Sequence, residues 1–195
     1  MSHRTRSLTP LTGLRGAVRE LRYHEASRQT LGLLLTVLFA VIAQPVSWLF
    51  YAASVIVLAG IAVRLWASGF ILKNEELATN GPYALVRHPL YVGNILILFA
   101  FAAASGIWWT FLIVVAFLWF YYPTAIEYED RKLSRKFESS WHAFAEQTPA
   151  LLPRFTNRVR GGDAQWSMKK SMTNNLEPVI VVFLLSCFVY IYTRL

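Results

Sequence analysis

From Leu31 to Leu72 the chain is almost unbroken apolar sequence, roughly forty residues, which is about twice what one helix needs to cross a bilayer. Lipid offers no partner to an unpaired backbone amide, so a run of this kind is expected to be helical throughout. The Gln44-Pro45 step supplies the point of reversal, because proline donates no amide hydrogen and disfavours helix in the residue before it. Two spans are expected, at about 29–44 and 46–72. A second apolar stretch, Leu90 to Tyr122, is divided by Ser105-Gly106 into a third and a fourth. Val179 to Tyr192 is shorter and is expected to lie in a fifth helix, at about 176–194. The fold class predicted is all-α, a polytopic membrane bundle of about five transmembrane helices.

Composition supports one domain of this kind. Of 195 residues, 55% are hydrophobic and only 15% charged, well short of the quarter that is usual in soluble domains. The organisation predicted is a basic interfacial segment over 1–28 and a membrane domain over 29–195, with its chemistry concentrated in 70–153. The single Cys187 leaves no intramolecular disulfide or cysteine metal cluster to build, and no metal site is expected. The formal net charge of +8 would suit nucleic acid, but the basic residues flank apolar runs instead of alternating with aromatics on a soluble surface. They read as topology signals facing anionic headgroups, with membrane lipids and no nucleic acid as partners.

The two short turns carry no Lys or Arg, whereas the N-terminus, the 73–89 loop and the 131–170 segment carry nearly all of them. These three regions are expected on the cytoplasmic side. No apolar core follows the first charges closely enough for a removable signal peptide, and the pattern favours a bacterial inner membrane. No inverted repeat of the transporter kind is visible.

Two flanking segments are amphipathic. Over residues 11–28, Leu11, Leu14, Val18, Leu21 and Tyr23 recur at helical spacing among arginines, as in a helix lying in the interface, or the segment is a basic tail. From Glu127 onward, Leu133, Phe137, Trp141 and Phe144 recur every three or four residues. The fourth helix is therefore expected to leave the bilayer and continue along its surface until Pro149 and Pro153. Arg154 to Lys170, with Gly161-Gly162, reads as a basic linker.

Between the second and third spans stands GPYALVRHPLYVGN, Gly81 to Asn94. Pro82 and Pro89 constrain the backbone, placing Arg87, His88, Tyr91 and Asn94 at the mouth of the third span. A fork donor, an imidazole and an aromatic hydroxyl can receive an anionic ligand; the same residues also suit a plain interfacial anchor.

The string GPYxxxRHPxYxG resembles the signature of the isoprenylcysteine carboxyl methyltransferase and phospholipid methyltransferase superfamily of membrane enzymes. A second element resembles the superfamily too, in Glu129-Asp130, Leu133, Phe137, Trp141, Phe144, Pro149 and Pro153. The resemblance implies S-adenosylmethionine as methyl donor, bound by cytoplasmic helix ends, and a small lipophilic molecule or lipid headgroup as acceptor. No GxGxxG follows a strand-like segment, so a dinucleotide-type loop is not the alternative. Carried over by position, cofactor contacts come from Leu77, Ala78, Tyr83, Arg87, His88, Pro89, Leu90, Tyr91, Glu129 and Asp130. His88 would hold the carboxylate of the donor, and Glu129 its amino group or ribose hydroxyls.

Three positions depart from the superfamily pattern. Ala125 stands where the isoprenylcysteine branch has an Arg that contacts the substrate carboxylate, which ranks a phospholipid or another small lipophile above a prenylcysteine. Glu75 replaces a His at the edge of the cofactor site. Glu138 replaces a Gly after Phe137, a change expected to alter only a helix surface. Arg64 lies about eight residues inside the second span, where a charge snorkels to the interface or has a buried partner. It is expected either to snorkel or to replace the missing Arg beside Tyr122, and Arg64 and Tyr122 are the catalytic candidates. Glu127 reads equally as part of an acidic entry or as an interfacial charge, and His142 as a surface residue. Two other classes compete: NADPH-dependent sterol reductases, which carry a related Arg-His before Tyr-x-Gly but also a longer, tryptophan-rich chain, and non-catalytic lipid-binding proteins.

Overall fold

The computed structural model describes residues 4–6, 8–71, 76–153, 165–173 and 176–195. These are all-helical, without strands, in the order α1 (Gly13–Tyr23), α2 (Glu25–Ile42), α3 (Ser47–Ser68), a 3-10 turn (Gly81–Ala84), α4 (Pro89–Ala104), α5 (Trp109–Gln147), α6 (Met168–Thr173) and α7 (Glu177–Tyr192). Three helices, α2, α3 and α5, are long and apolar enough to cross a membrane; α4 and α7 are apolar helices of 16 residues each. Large apolar side chains such as Trp48, Val55, Trp119 and Val182 are exposed on them, an arrangement suited to lipid and hostile to water.

The first two spans end where the turn chemistry is strongest. Helix α2 stops at Ile42, just before Gln44-Pro45. Helix α3 stops at Ser68, earlier than the apolar run suggests, because the chain turns at Gly69. The Trp166 indole lies so close to Gly69 that a Cβ there would collide with it, and the Gly69 carbonyl accepts from the Ser167 amide at 3.1 Å.

At the opposite end of the bundle the two predicted turns meet. The Gln44 amide donates to the Ser105 carbonyl at 2.7 Å. Gly106 holds φ +69, and any side chain there would strike the Gln44 carbonyl, so only glycine suits both the conformation and the space. Helices α3 and α4 pack through Gly60 and Gly93, where a Cβ on Gly93 would lie 2.8 Å from the Gly60 carbonyl oxygen and 2.5 Å from Cγ of Arg64. Close approach through small residues is how membrane helices gain contact when lipid is as apolar as they are. Around this seam the core is aromatic: the Phe188 ring of α7 lies 5.0 Å from Phe50 and 5.3 Å, edge on, from Phe101.

The N-terminal segment is a docked helix and not a tail. Nε of Arg22 donates to the Phe120 carbonyl at 2.9 Å, Thr124 donates its hydroxyl to the Arg22 carbonyl at 2.9 Å, and the Tyr23 hydroxyl donates to Glu127 at 2.6 Å. Burial, the Glu127 hydrogen bond and its charge push the Tyr23 hydroxyl up to about 12. Glu127 thus serves as the anchor of α1.

Helix α5 continues past its apolar run into the charged stretch, but it is not one straight helix. Its 39 residues would span about 58 Å if straight. Glu138, at φ +41 and ψ −114, breaks the helix and sends the last turns back toward the 3-10 turn. Trp141 and Phe144 are consequently only 4% and 5% exposed. The Glu138 substitution therefore falls at a backbone position where glycine relieves strain, and not on a neutral helix surface. Most of the predicted 154–170 linker, and Glu75, lie outside the described residues.

Candidate functional site

A cavity of about 730 Å³ opens where the start of α2, the end of α3, residues 76–91, the middle of α5 and the start of α7 converge. Nine of the predicted cofactor-contact positions line it: Leu77, Ala78, Tyr83, Arg87, His88, Pro89, Leu90, Tyr91 and Glu129. So do the two catalytic candidates, Arg64 and Tyr122. Asp130 is not on the lining and sits behind Arg87 and His88. Neighbours in a helix point about 100° apart, so Glu129 and Asp130 face different partners.

Local sequence explains how the rim is built. Gly81 adopts φ +59 with the Phe70 ring packed where a side chain would be, and Pro82 opens the 3-10 turn that buries Tyr83. Burial, reinforced by the charge of Glu177, pushes the Tyr83 hydroxyl upward, so it stays neutral. His88 precedes α4, and Pro89 takes the first helical position, where its missing amide costs nothing.

Two backbone bonds then fasten this segment to the chain beyond α5: the amide of Arg87 donates to the Pro149 carbonyl at 2.8 Å, and that of His88 to the Ala150 carbonyl at 3.1 Å. The Arg87 guanidinium continues the join. It donates to the carbonyls of Ala145 and Thr148 at 3.1 and 2.8 Å, and to Asp130 at 2.9 Å. Carbonyls at the end of a helix lack intrahelical partners, and a cation there also meets the negative end of the dipole. Arg87 is therefore chiefly a brace, although its Nε is buried without a partner.

Asp130 accepts from His88 Nε2 at 2.7 Å with its other oxygen. It lies in the charged stretch of α5, past the apolar run that ends at Tyr122. Burial raises its pKa, but the His88 hydrogen bond and the charges of His88 and Arg87 outweigh burial and hold it below the ordinary carboxylate range. His88 stacks on Tyr91 at 5.4 Å between centroids, and Tyr91 lies 5.4 Å from Tyr122, making a row of rings along one wall. Glu129 faces the cavity with Lys132 3.5 Å away.

Arg64 does not snorkel. Nε and one terminal nitrogen donate to Glu177 at 3.1 and 2.8 Å, the other terminal nitrogen donates to Asn94, and Ser68 donates to Glu177 at 2.9 Å. Glu177 is fully buried. A buried charge of this kind is tolerable only when paired and hydrogen-bonded. Sequence reading missed Glu177, because an acid opening an apolar helix is also what the helix dipole favours. The only available signal was its position at the edge of an apolar run opposite an intramembrane arginine. His142 is exposed, with Ser134 3.3 Å away. Among the described residues no three His, Cys, Asp or Glu side chains are grouped as a metal site.

The model of the phospholipid methyltransferase family matches residues 28–140. The cobalt-zinc-cadmium resistance protein CzcN of Cupriavidus metallidurans is 39% identical over 111 residues, which are 55% of this chain and 50% of that protein. The nickel-cobalt-cadmium resistance protein NccN of Alcaligenes xylosoxydans xylosoxydans is 38% identical over 96 residues, 48% of this chain and 44% of that protein. The chain thus spans about half the length of the curated relatives it matches. No solved structure matches it.

Proposed function

Because the chain belongs to the phospholipid methyltransferase family, we propose that it is a membrane methyltransferase that takes its methyl group from S-adenosylmethionine and passes it to a lipophilic or lipid-headgroup acceptor. The observation that supports this most is the composition of the cavity lining, which combines ionic residues with Ile97, Leu98, Phe117, Ile180 and Leu184. A polar donor and an apolar acceptor can meet there. Its volume lies within the range of small-molecule sites.

The residues present fit the cofactor. Its amino-acid zwitterion needs an acceptor and a donor, and Glu129 supplies the first. The buried, unpartnered Nε of Arg87 is a donor in want of an anion. His88 spends Nε2 on Asp130, so only Nδ1 is left for a ligand. When bound, the cofactor supplies a methyl group on a sulfonium, which is displaced in line. The chain needs to align the acceptor and exclude water. Tyr91 and Tyr122 form the wall along which an acceptor would be aligned, Asn94 and Tyr122 offer it polar atoms, and Asp130 acts as a positioning residue that fixes His88. The cavity end of the bundle and the N-terminus are assigned to the cytoplasm, in a bacterial inner membrane, from the distribution of Lys and Arg. The two relatives are named for metal resistance; on this reading any such role of the present chain runs through a methylated membrane component.

Calorimetry on detergent-purified protein tests the proposal, with S-adenosylhomocysteine as ligand and NADPH as control. Saturable S-adenosylhomocysteine binding is expected for the wild type, weakened at least about tenfold in His88→Ala and Glu129→Gln, the scale of a lost charge-assisted hydrogen bond. Absence of binding by a folded wild type rejects a methyltransferase, and NADPH binding in its place points to a reductase.

A further inference from the structure

Four of the cations on the cavity lining have carboxylate partners: Arg4 pairs with Glu25, Arg64 with Glu177, Arg87 with Asp130 and Lys132 with Glu129. Arg28 also lines the cavity and, among the described residues, has no carboxylate within ion-pair distance. Its guanidinium instead lies 4.9 Å from the centre of the Tyr91 ring, in the row of rings that leads to Tyr122. Arg28 is half-buried, so its charge is only partly relieved by water.

Its place on α2 gives that charge a direction. Glu25, Arg28, Gln29, Gly32, Leu33 and Thr36 all face the cavity, at the three- and four-residue spacing of one helix face. Arg28 and Gln29 are the last strongly polar side chains of this stripe; beyond them come Gly32, Leu33 and Thr36, whose hydroxyl is spent on the Leu33 carbonyl, with Phe117 beside Gly32. An arginine fork there matches the two oxygens of a carboxylate or phosphate, while Leu33 and the neighbouring lining of Ile97, Leu98 and Phe117 match a hydrocarbon tail. The aromatic ring beneath the guanidinium holds it in place without neutralising it. Arg64, by contrast, has its nitrogens committed to Glu177 and Asn94 and has no fork to offer.

We infer that Arg28 is the residue that binds the anionic group of the acceptor in this cavity, a carboxylate or a phosphate. This rests on the proposed function only in taking the cavity as the place where the acceptor binds. Binding of hexadecanoate, hexadecyl phosphate and neutral hexadecanol to the detergent-purified full chain tests it, read by calorimetry for wild type, Arg28→Gln and Arg28→Lys. The expected result is that at least one anion binds the wild type about tenfold more tightly than hexadecanol, the carboxylate and phosphate arms telling which. Arg28→Gln should abolish that preference, and Arg28→Lys should keep part of it.

S-adenosylhomocysteine affinity is measured on the same samples. If Arg28→Gln loses it while wild type binds, Arg28 holds the cofactor and the inference is wrong; if wild type does not bind it, the methyltransferase reading fails separately. An anion preference that is absent from the wild type, or that survives in Arg28→Gln, overturns the inference. Thermal melting of each variant confirms that the comparison is between folded proteins.

Discussion

The two ends of the helix bundle are held by different means. At the end away from the cavity, the Gln44-Pro45 and Ser105-Gly106 turns touch backbone to backbone, with glycine where any side chain would collide. At the cavity end, charged networks carry the structure: Arg64 with Glu177, Ser68 and Asn94, and Arg87 with Asp130, His88 and three carbonyl-bearing residues of the α5 terminus and beyond. Shape can close a bundle in lipid, where small residues let backbones approach. A cavity for polar ligands cannot be closed by shape, because its walls have to carry charge and still stay in place.

That contrast breaks most visibly at Glu177. Replacing it with Leu leaves Arg64 buried and uncompensated, and the expected cost is about 3–5 kcal/mol, read as a large fall in thermal stability in detergent. The double variant Arg64→Met with Glu177→Leu should recover most of this, since an apolar pair of similar volume removes the stranded charge. Equal stability of the single variant and wild type would mean that the ion pair does not hold α7.

At the far end, Gly106→Ala should cost about 1–3 kcal/mol from the positive φ and the blocked contact with Gln44. Its S-adenosylhomocysteine affinity should be unchanged, and a change would show that the two ends are coupled.

Asp130→Asn should do the reverse, weakening that affinity by about tenfold with a smaller loss of stability, because it unfastens His88 and Arg87 without leaving a charge in lipid. The wild type carries a matching pH signature. A carboxylate held below its unfolded pKa adds stability that is present above the ordinary carboxylate range and lost as pH falls through the folded value. Acid melts should therefore separate wild type from Asp130→Asn at neutral pH and bring them together in acid. The smallest effect expected is a gain: Glu138→Gly should raise stability by about 1 kcal/mol, by removing the strain of a positive φ inside α5.

The helices were legible in the sequence because apolar run length and Pro or Gly turns act locally. Gln44-Pro45 and Ser105-Gly106 fall where the turns form, and the GPYxxxRHP string and Glu129, which only the family resemblance joined, line one cavity. What was not legible depends on partners far apart in sequence. Glu177 was invisible as the mate of Arg64, more than a hundred residues away. Asp130 looked like a second copy of Glu129 until the rotation of α5 separated them. Glu138 looked like a surface change because a positive φ inside α5 leaves no mark on the apolar periodicity. Arg28 read as part of a basic flank, since nothing local distinguishes an arginine facing headgroups from one facing a cavity.

The pair of hydrogen bonds from the amides of Arg87 and His88 to the carbonyls of Pro149 and Ala150 makes the chain between them a closed ring, stitched where it begins and ends. A nick in its outer turn, at Ile107 or Trp108, would leave two fragments that still share a clasp and a helix seam. Such a protein should be divisible there into halves that find each other in a membrane, each carrying part of one cavity and neither able to bind alone.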